Sequence, residues 1–311
     1  MDEQKRILVT GGAGFIGSHL VNKLFDIGHE IHVVDNLSKG KKSNLNKHVK
    51  FYDYDLSDIK SFKSFPQGID IVFHLSAQVS NEASFYDPLL DINSNSVSSL
   101  NLLQWSLENK VKKFNFTSTV GVYADNMKDF ASEESLKIPN GFYGINKLST
   151  EKFIKIYSSK GLNSSIFRLF NVYGPGQNMS DLMQGMLSIY MSYVWKKDPI
   201  LVKGSLERIR DFIYIDDVID ALITVGLSGA KYEILNVCSG RKTSVGEAIN
   251  LILKSFDEDK NYPINVLDGT PGDYDETYGS FKKINDLYGW EPKISLERGI
   301  EKMVKWLKEI S

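Results

Sequence analysis

The sequence predicts an α/β protein: a doubly wound parallel sheet joined to a smaller, mixed C-terminal subdomain. Three observations lead there. Short β-branched runs alternate with longer amphipathic stretches through the first half, the pattern of parallel strands joined by helices. A glycine-rich turn follows the first of those runs directly and opens an amphipathic stretch. After Arg168 the alternation gives way to irregular segments, beginning at a turn made by Gly174, Pro175 and Gly176.

Taken in order, strands are expected over residues 7–10, 31–34, 49–52, 69–75, 113–117 and 165–169, each apolar and bounded by polar or turn residues. Helices are expected over 16–25, about 88–109 and 143–160. The methionines and aromatics between 179 and 195 read as a helix on the substrate side, or as ordinary core. Residues 213–215 are expected to return to the main core.

With 311 residues the chain is long enough to bury a large core, and near the length at which a second subdomain forms. A net charge of -2 gives no electrostatic reason to expect nucleic acid or an anionic membrane as partner. The single cysteine, Cys238, excludes an internal disulfide and a multi-cysteine metal site, and suits a reducing compartment, with the cytoplasm as the default. No run approaches the ~20 apolar residues of a membrane span, so a soluble protein is expected. No metal site is expected.

The turn reads Thr10-Gly11-Gly12-Ala13-Gly14-Phe15-Ile16-Gly17, with Leu20, Val21 and Leu24 on one face of the following helix. Glycines let the backbone turn sharply and approach a pyrophosphate, while a helix N-terminus offers free N–H groups. The second strand ends in Asp35-Asn36, and an acidic group there accepts ribose hydroxyls and repels a 2′-phosphate, which favours NAD over NADP. Lys39, Lys41 and Lys42 are either a solvated loop or an attraction for that phosphate. Asp55, read alone, is a surface aspartate or a helix cap.

These residues, with others in the same order, resemble the extended short-chain dehydrogenase/reductases, in their nucleotide-sugar epimerase/dehydratase branch, and the resemblance spans nearly the whole chain. Its motifs are TGGAGFIG at 10–17, DN at 35–36, DL at 55–56, HLSAQ at 74–78, STVGVY at 118–123, YGINK at 143–147, RLFNVYGPG at 168–176 and RDFIYIDDV at 210–218. The resemblance implies a Rossmann-type NAD-binding domain over residues 1–168. Residues 169–311 would mainly bind a nucleotide-diphosphate sugar, with segments around 205–237 returning to the main core.

By the same resemblance Gly11, Gly14, Phe15, Ile16, Gly17, Asp35, Asn36, Tyr143 and Lys147 bind the dinucleotide, and Asp55 and Leu56 border its adenine. Leu75, Ala77, Gln78 and Phe170 line it, and Asn95 braces the active-site loop. Asn171 approaches the sugar-nucleotide diphosphate, and Arg210 binds a phosphate unless it is tied structurally to Asp211 or Asp216. The helices over 89–107 and 147–157 would form a four-helix homodimer interface, or simply face their own sheet.

Tyr143 and Lys147 stand four residues apart in a helical stretch and so share a face. Taking a hydride from a sugar alcohol needs a base for the hydroxyl proton, and an unperturbed tyrosine, with a pKa of about 10, is a poor one. A nearby ammonium and a positive nicotinamide both favour phenolate. The resemblance gives Lys147 a hydrogen bond to the nicotinamide ribose and makes Thr119 the third catalytic residue, able to touch the sugar oxygen.

The expected reaction is oxidation at C4 of the sugar. Dehydratases of the family carry Asp-Glu directly after the active-site threonine, where this chain has Val120 and Gly121. That favours 4-epimerisation through a 4-keto intermediate, with a 4-dehydrogenase or 4-keto reductase as the alternative and a 4,6-dehydratase or a non-catalytic dinucleotide-binding protein behind them. The Arg-x-Gly-Asp segment of many UDP-sugar epimerases is here Thr270-Pro271-Gly272-Asp273, so its arginine is missing; Arg208, Arg210 or Lys203 are candidates to compensate, and the nucleotide base stays open.

Overall fold

The computed structural model describes residues 4–124, 130–183, 185–259, 261–269 and 271–310. Its strands are β1 (Arg6–Thr10), β2 (Glu30–Val34), β3 (Lys50–Tyr52), β4 (Ile71–His74), β5 (Lys113–Thr119), β6 (Ser164–Leu169), β7 (Asn171–Tyr173), β8 (Ile200–Lys203), β9 (Ile209–Arg210), β10 (Phe212–Tyr214), β11 (Tyr232–Val237), β12 (Thr243–Ser244) and β13 (Ile264–Leu267). The helices are α1 (Phe15–Asp26), α2 (Asn81–Tyr86), α3 (Pro88–Ile92), α4 (Ser98–Glu108), α5 (Phe142–Ser159), α6 (Met186–Lys196), α7 (Ile215–Gly226), α8 (Val245–Ser255), α9 (Lys282–Tyr288) and α10 (Leu296–Glu309).

Seven strands form one parallel sheet in the order β11-β6-β5-β4-β1-β2-β3. Both faces are covered, which is why the strands are apolar at successive positions: Ile7 and Val9 enter one core with Leu20, Val21 and Leu24 of α1, and Leu8 enters the other with Leu102 and Leu103 of α4 and Ile154 of α5. The chain runs outward from β1 to β3 and then returns to β4 on the other side of β1. This reversal opens a crevice at the carboxyl ends of β1 and β4, where Thr10 pairs with both Val34 and His74.

Beyond β6 every strand except β11 belongs to a two-stranded pair. Strand β10 pairs with β7, β12 with β9 and β13 with β8. Ile213 and Ile215 are buried in the core on the α1 side, although β10 itself pairs outside the main sheet, and β11 adds the sheet's seventh strand beside β6. The helix expected over 88–109 is continuous but changes its winding at the middle, where residues Asn93–Val97 form a π-helical turn between α3 and α4. Helix α2, capped by the Ser80 hydroxyl, lies between strand and helix where no element was expected. Among the described residues no helix is long and apolar enough to cross a membrane.

Candidate active site

The glycine loop joins β1 to α1 and is held by its backbone. Gly11 sits at φ +67, a conformation open to glycine, and a Cβ there would lie 2.7 Å from the Ser76 nitrogen. A Cβ at Gly17 would run into the Gly11 carbonyl. Helix α1 begins after Gly14 with no side-chain cap and no acid in its first turn, so the N–H groups of Phe15, Ile16 and Gly17 face an N-terminus fit for an anion.

Asp35 follows β2 beneath this loop, accepting from Ala13 N–H at 3.0 Å and Leu37 N–H at 2.9 Å. Asn36 hydrogen-bonds Asp55, whose carboxyl stays below its ordinary range because hydrogen bonds from Ser57 and Asn36 outweigh burial. Leu56 is buried beside it. Lys39 pairs with Asp181 at 2.9 Å and Lys42 lies over the Phe51 ring. These features fit NAD.

Leu75, Ala77 and Gln78 form the opposite wall, after β4. The Gln78 amide turns back on Ser80 O and Asp91 rather than outward. Asn95, in the π-helical turn, donates to the Gln78 carbonyl and to Asp91, both at 3.0 Å, and so ties the wall to the helix. Asp91 also accepts from Asn146 of α5 at 2.7 Å. Fully buried among three amides, its carboxyl is pushed up by burial. His74 is equally buried, shared between Thr10 and Ser99, and burial holds it down at about 3.

Thr119 ends β5, while Tyr143 and Lys147 lie on one face of the first turns of α5. The Thr119 hydroxyl hydrogen-bonds the Tyr143 phenol and accepts from Gly121 N–H at 3.1 Å. Lys147 donates to Thr117 O at 2.9 Å and lies 5.9 Å from the Tyr143 ring centre. Burial brings Lys147 down to about 7, against the pull of Asp91 and Glu151. Burial also pushes the Tyr143 phenol up, opposed by Thr119, so a positive charge beside it is what base catalysis requires. The three side chains expected to act together do meet.

Asn171 and Arg210 come together through Asp211, whose backbone carbonyl accepts from the Asn171 amide at 3.0 Å. The structure corrects one expectation: Arg210 pairs with neither Asp211 nor Asp216. Its partner is Asp273 at 2.7 Å, which also pairs with Arg208. The Asp211 carboxylate instead accepts from Ser239, Gly240 and Gly279, and Asp216 pairs with Lys302, because the strand turns Arg210 toward the late loop. Lys203 pairs with Glu82 across the cleft. Phe170 packs its ring into a small core with Val122, Tyr123 and Cys238. Thr270 lies outside the described residues.

Sequence reasoning assigned no role to His74, Asp91, Asn146 or Asp273. Asp91 had a signal, since it stands one helical turn before Asn95 and faces the same way. Asp273 stands at the aspartate of the Arg-x-Gly-Asp match, but nothing local to it points to Arg208 and Arg210 as its partners.

A switch-point crevice with a glycine loop, an aspartate at the end of the second strand and a Thr-Tyr-Lys set is the arrangement of a dinucleotide-dependent oxidoreductase site. Residues 7–238 match the NAD dependent epimerase/dehydratase family, and the chain belongs to it, with NAD as its cofactor. Among similar proteins is a putative UDP-glucose 4-epimerase of Methanocaldococcus jannaschii, 32% identical over 97% of this chain and 98% of the relative. UDP-glucuronic acid decarboxylase 1 of Xenopus tropicalis is 28% identical over 99% of this chain and 73% of the relative. The crystal structure of UDP-glucose 4-epimerase with UDP-glucose from Thermotoga maritima superimposes with a TM-score of 0.93, at 36% identity over 98% of this chain and 99% of that one. The chain is thus an NAD-dependent enzyme of nucleotide-sugar modification.

Proposed function

We propose that the enzyme interconverts C4 epimers of a UDP-sugar through a 4-keto intermediate. The observation that carries this reading is the pair Val120 and Gly121 beside Thr119. Loss of water, or reprotonation of carbon after loss of carbon dioxide, needs an acid or base next to the ring, and neither residue has a proton to move. When bound, NAD supplies the acceptor and donor of hydride. Tyr143 takes the C4 hydroxyl proton as the carbon is oxidised, holds it while the ketone turns, and returns it. Thr119 shares a hydrogen bond with the same oxygen. Lys147 spends one donor on Thr117 and has others for a ribose hydroxyl.

On this reading residues 1–168 hold the dinucleotide and residues 169–311 mainly the sugar nucleotide. Arg210, with Arg208, supports diphosphate binding, since two buried guanidiniums share one carboxylate and leave one positive charge over. UDP is favoured by the similar proteins. A homodimer through α3, α4 and α5 is supported by Leu89, Leu90, Leu100, Ile145 and Ile156, which are exposed to solvent.

The test is a panel of UDP- and GDP-sugars offered to the purified protein in deuterated water. Epimer formation without net NADH and without deuterium at C5 is expected. Accumulating NADH with free ketone supports a one-way dehydrogenase, and deuterium at C5 supports dehydration or decarboxylation.

A further inference from the structure

We propose that Tyr274 is a positioning residue for this reaction, its single phenol oxygen holding in register the two segments that carry the catalytic side chains. The Tyr274 hydroxyl donates to the Gly121 carbonyl at 2.9 Å and accepts from Asn140 N–H at 3.2 Å. Gly121 in turn donates its N–H to the Thr119 hydroxyl. Asn140 immediately precedes Gly141, the N-cap of α5, whose first turn holds Tyr143. The two segments also touch directly, for Gly144 packs against the Gly121 carbonyl with no room for a Cβ. A shift at Gly121 therefore moves the Thr119 hydroxyl relative to the Tyr143 phenol.

On its other side Tyr274 belongs to the anion-binding arginines. Its carbonyl accepts from Arg210 at 2.7 Å and its N–H donates to Asp273 at 2.8 Å. A single residue thus links the groups that would grip the diphosphate to the groups that do the chemistry. Gly272 presses the same loop onto Asn140 so closely that a Cβ at Gly272 would lie 2.9 Å from the Asn140 carbonyl oxygen. The loop therefore stays docked when only the Tyr274 hydroxyl is removed.

The inference rests on the proposed reaction, and Tyr274→Phe tests it in a way that separates the two. A displacement of the order of an ångström costs up to about a hundredfold in rate, so kcat should fall roughly tenfold to a hundredfold. KM and the affinity for UDP should stay within about twofold, and melting should be unchanged. Amide hydrogen exchange over residues 119–123, which needs no turnover, should quicken by about tenfold in the variant. In a Thr119→Ala background the same change should cost little more, because its route to the chemistry is gone. Unchanged kcat and exchange overturn the proposal, as does a loss of kcat that follows UDP affinity or melting. A wild-type protein that turns over no sugar nucleotide defeats the proposed function, and the exchange measurement then decides the positioning alone.

Discussion

Where we propose the dinucleotide binds, Gly11, Asp35, Asp55 and Leu75 follow the ends of β1, β2, β3 and β4 in turn. Where we propose the sugar nucleotide binds, Arg210, Asp273, Tyr274 and Gly121 come from separated segments and are joined by an ion pair and by side-chain hydrogen bonds to backbone carbonyls. One half is built by the sheet, the other by contacts laid over it. The difference teaches where each half is vulnerable: the first to anything that alters backbone space, the second to loss of a single polar atom.

The largest expected effect falls where the halves meet. Tyr143→Phe removes the proposed proton acceptor and should lower kcat on the order of a thousandfold. NAD content and UDP affinity should stay as they are, because neither half loses a binding group. A variant with wild-type turnover would mean that the chemistry lies elsewhere and that the protein holds its ligands for another purpose.

Arg210→Gln should break the sugar side alone. A charge-assisted hydrogen bond to a diphosphate contributes about 2 kcal/mol, roughly thirtyfold in KM. Retained NAD with weakened UDP binding, read by calorimetry, is the expected pattern. If both ligands were lost together, the two halves would be one cooperative unit and the contrast between them would fail.

This contrast also explains what the sequence disclosed. Gly11 to Gly17, Asp35 and the helical spacing of Tyr143 and Lys147 are local patterns, and the structure places them as one crevice. The partner of Arg210 was not legible, because Asp273 lies in a loop whose proximity is decided by β9 pairing with β12 and bridging to Glu276. The spacing of Asp91 from Asn95 puts the two on one helix face, but the burial of Asp91 follows from the π-helical turn and the three amides around it. Helix α2 is too short to show a periodicity.

His74 tests the dinucleotide side by pH. The unfolded chain takes up a proton near the ordinary imidazole value, whereas folded His74, held at about 3, does not. The stability it contributes is full above that ordinary value and is lost as pH falls toward 3, about 2 kcal/mol of it by pH ~5. Urea unfolding of the wild type at neutral and at mildly acidic pH should show this loss. His74→Asn should be less stable at neutral pH, where its hydrogen bonds to Thr10 and Ser99 are weakened, yet show a flatter acid slope. An identical slope in both proteins would place the acid sensitivity in another group.

The smallest effect decides whether Lys203 belongs to the charge set of the sugar side. Its ammonium lies 2.9 and 2.7 Å from the two Glu82 oxygens, bridging β8 to α2 across the cleft, with side chains 47% and 22% exposed. A pair so open to water contributes about 0.2–1 kcal/mol and is weakened by salt. Lys203→Met, Glu82→Gln and the double variant should therefore show a coupling of that size in unfolding, with KM changed less than about threefold. A tenfold rise in KM for Lys203→Met alone would instead show Lys203 leaving Glu82 to meet the diphosphate. The missing arginine at position 270 would then be replaced by a lysine that trades partners between Glu82 and the diphosphate.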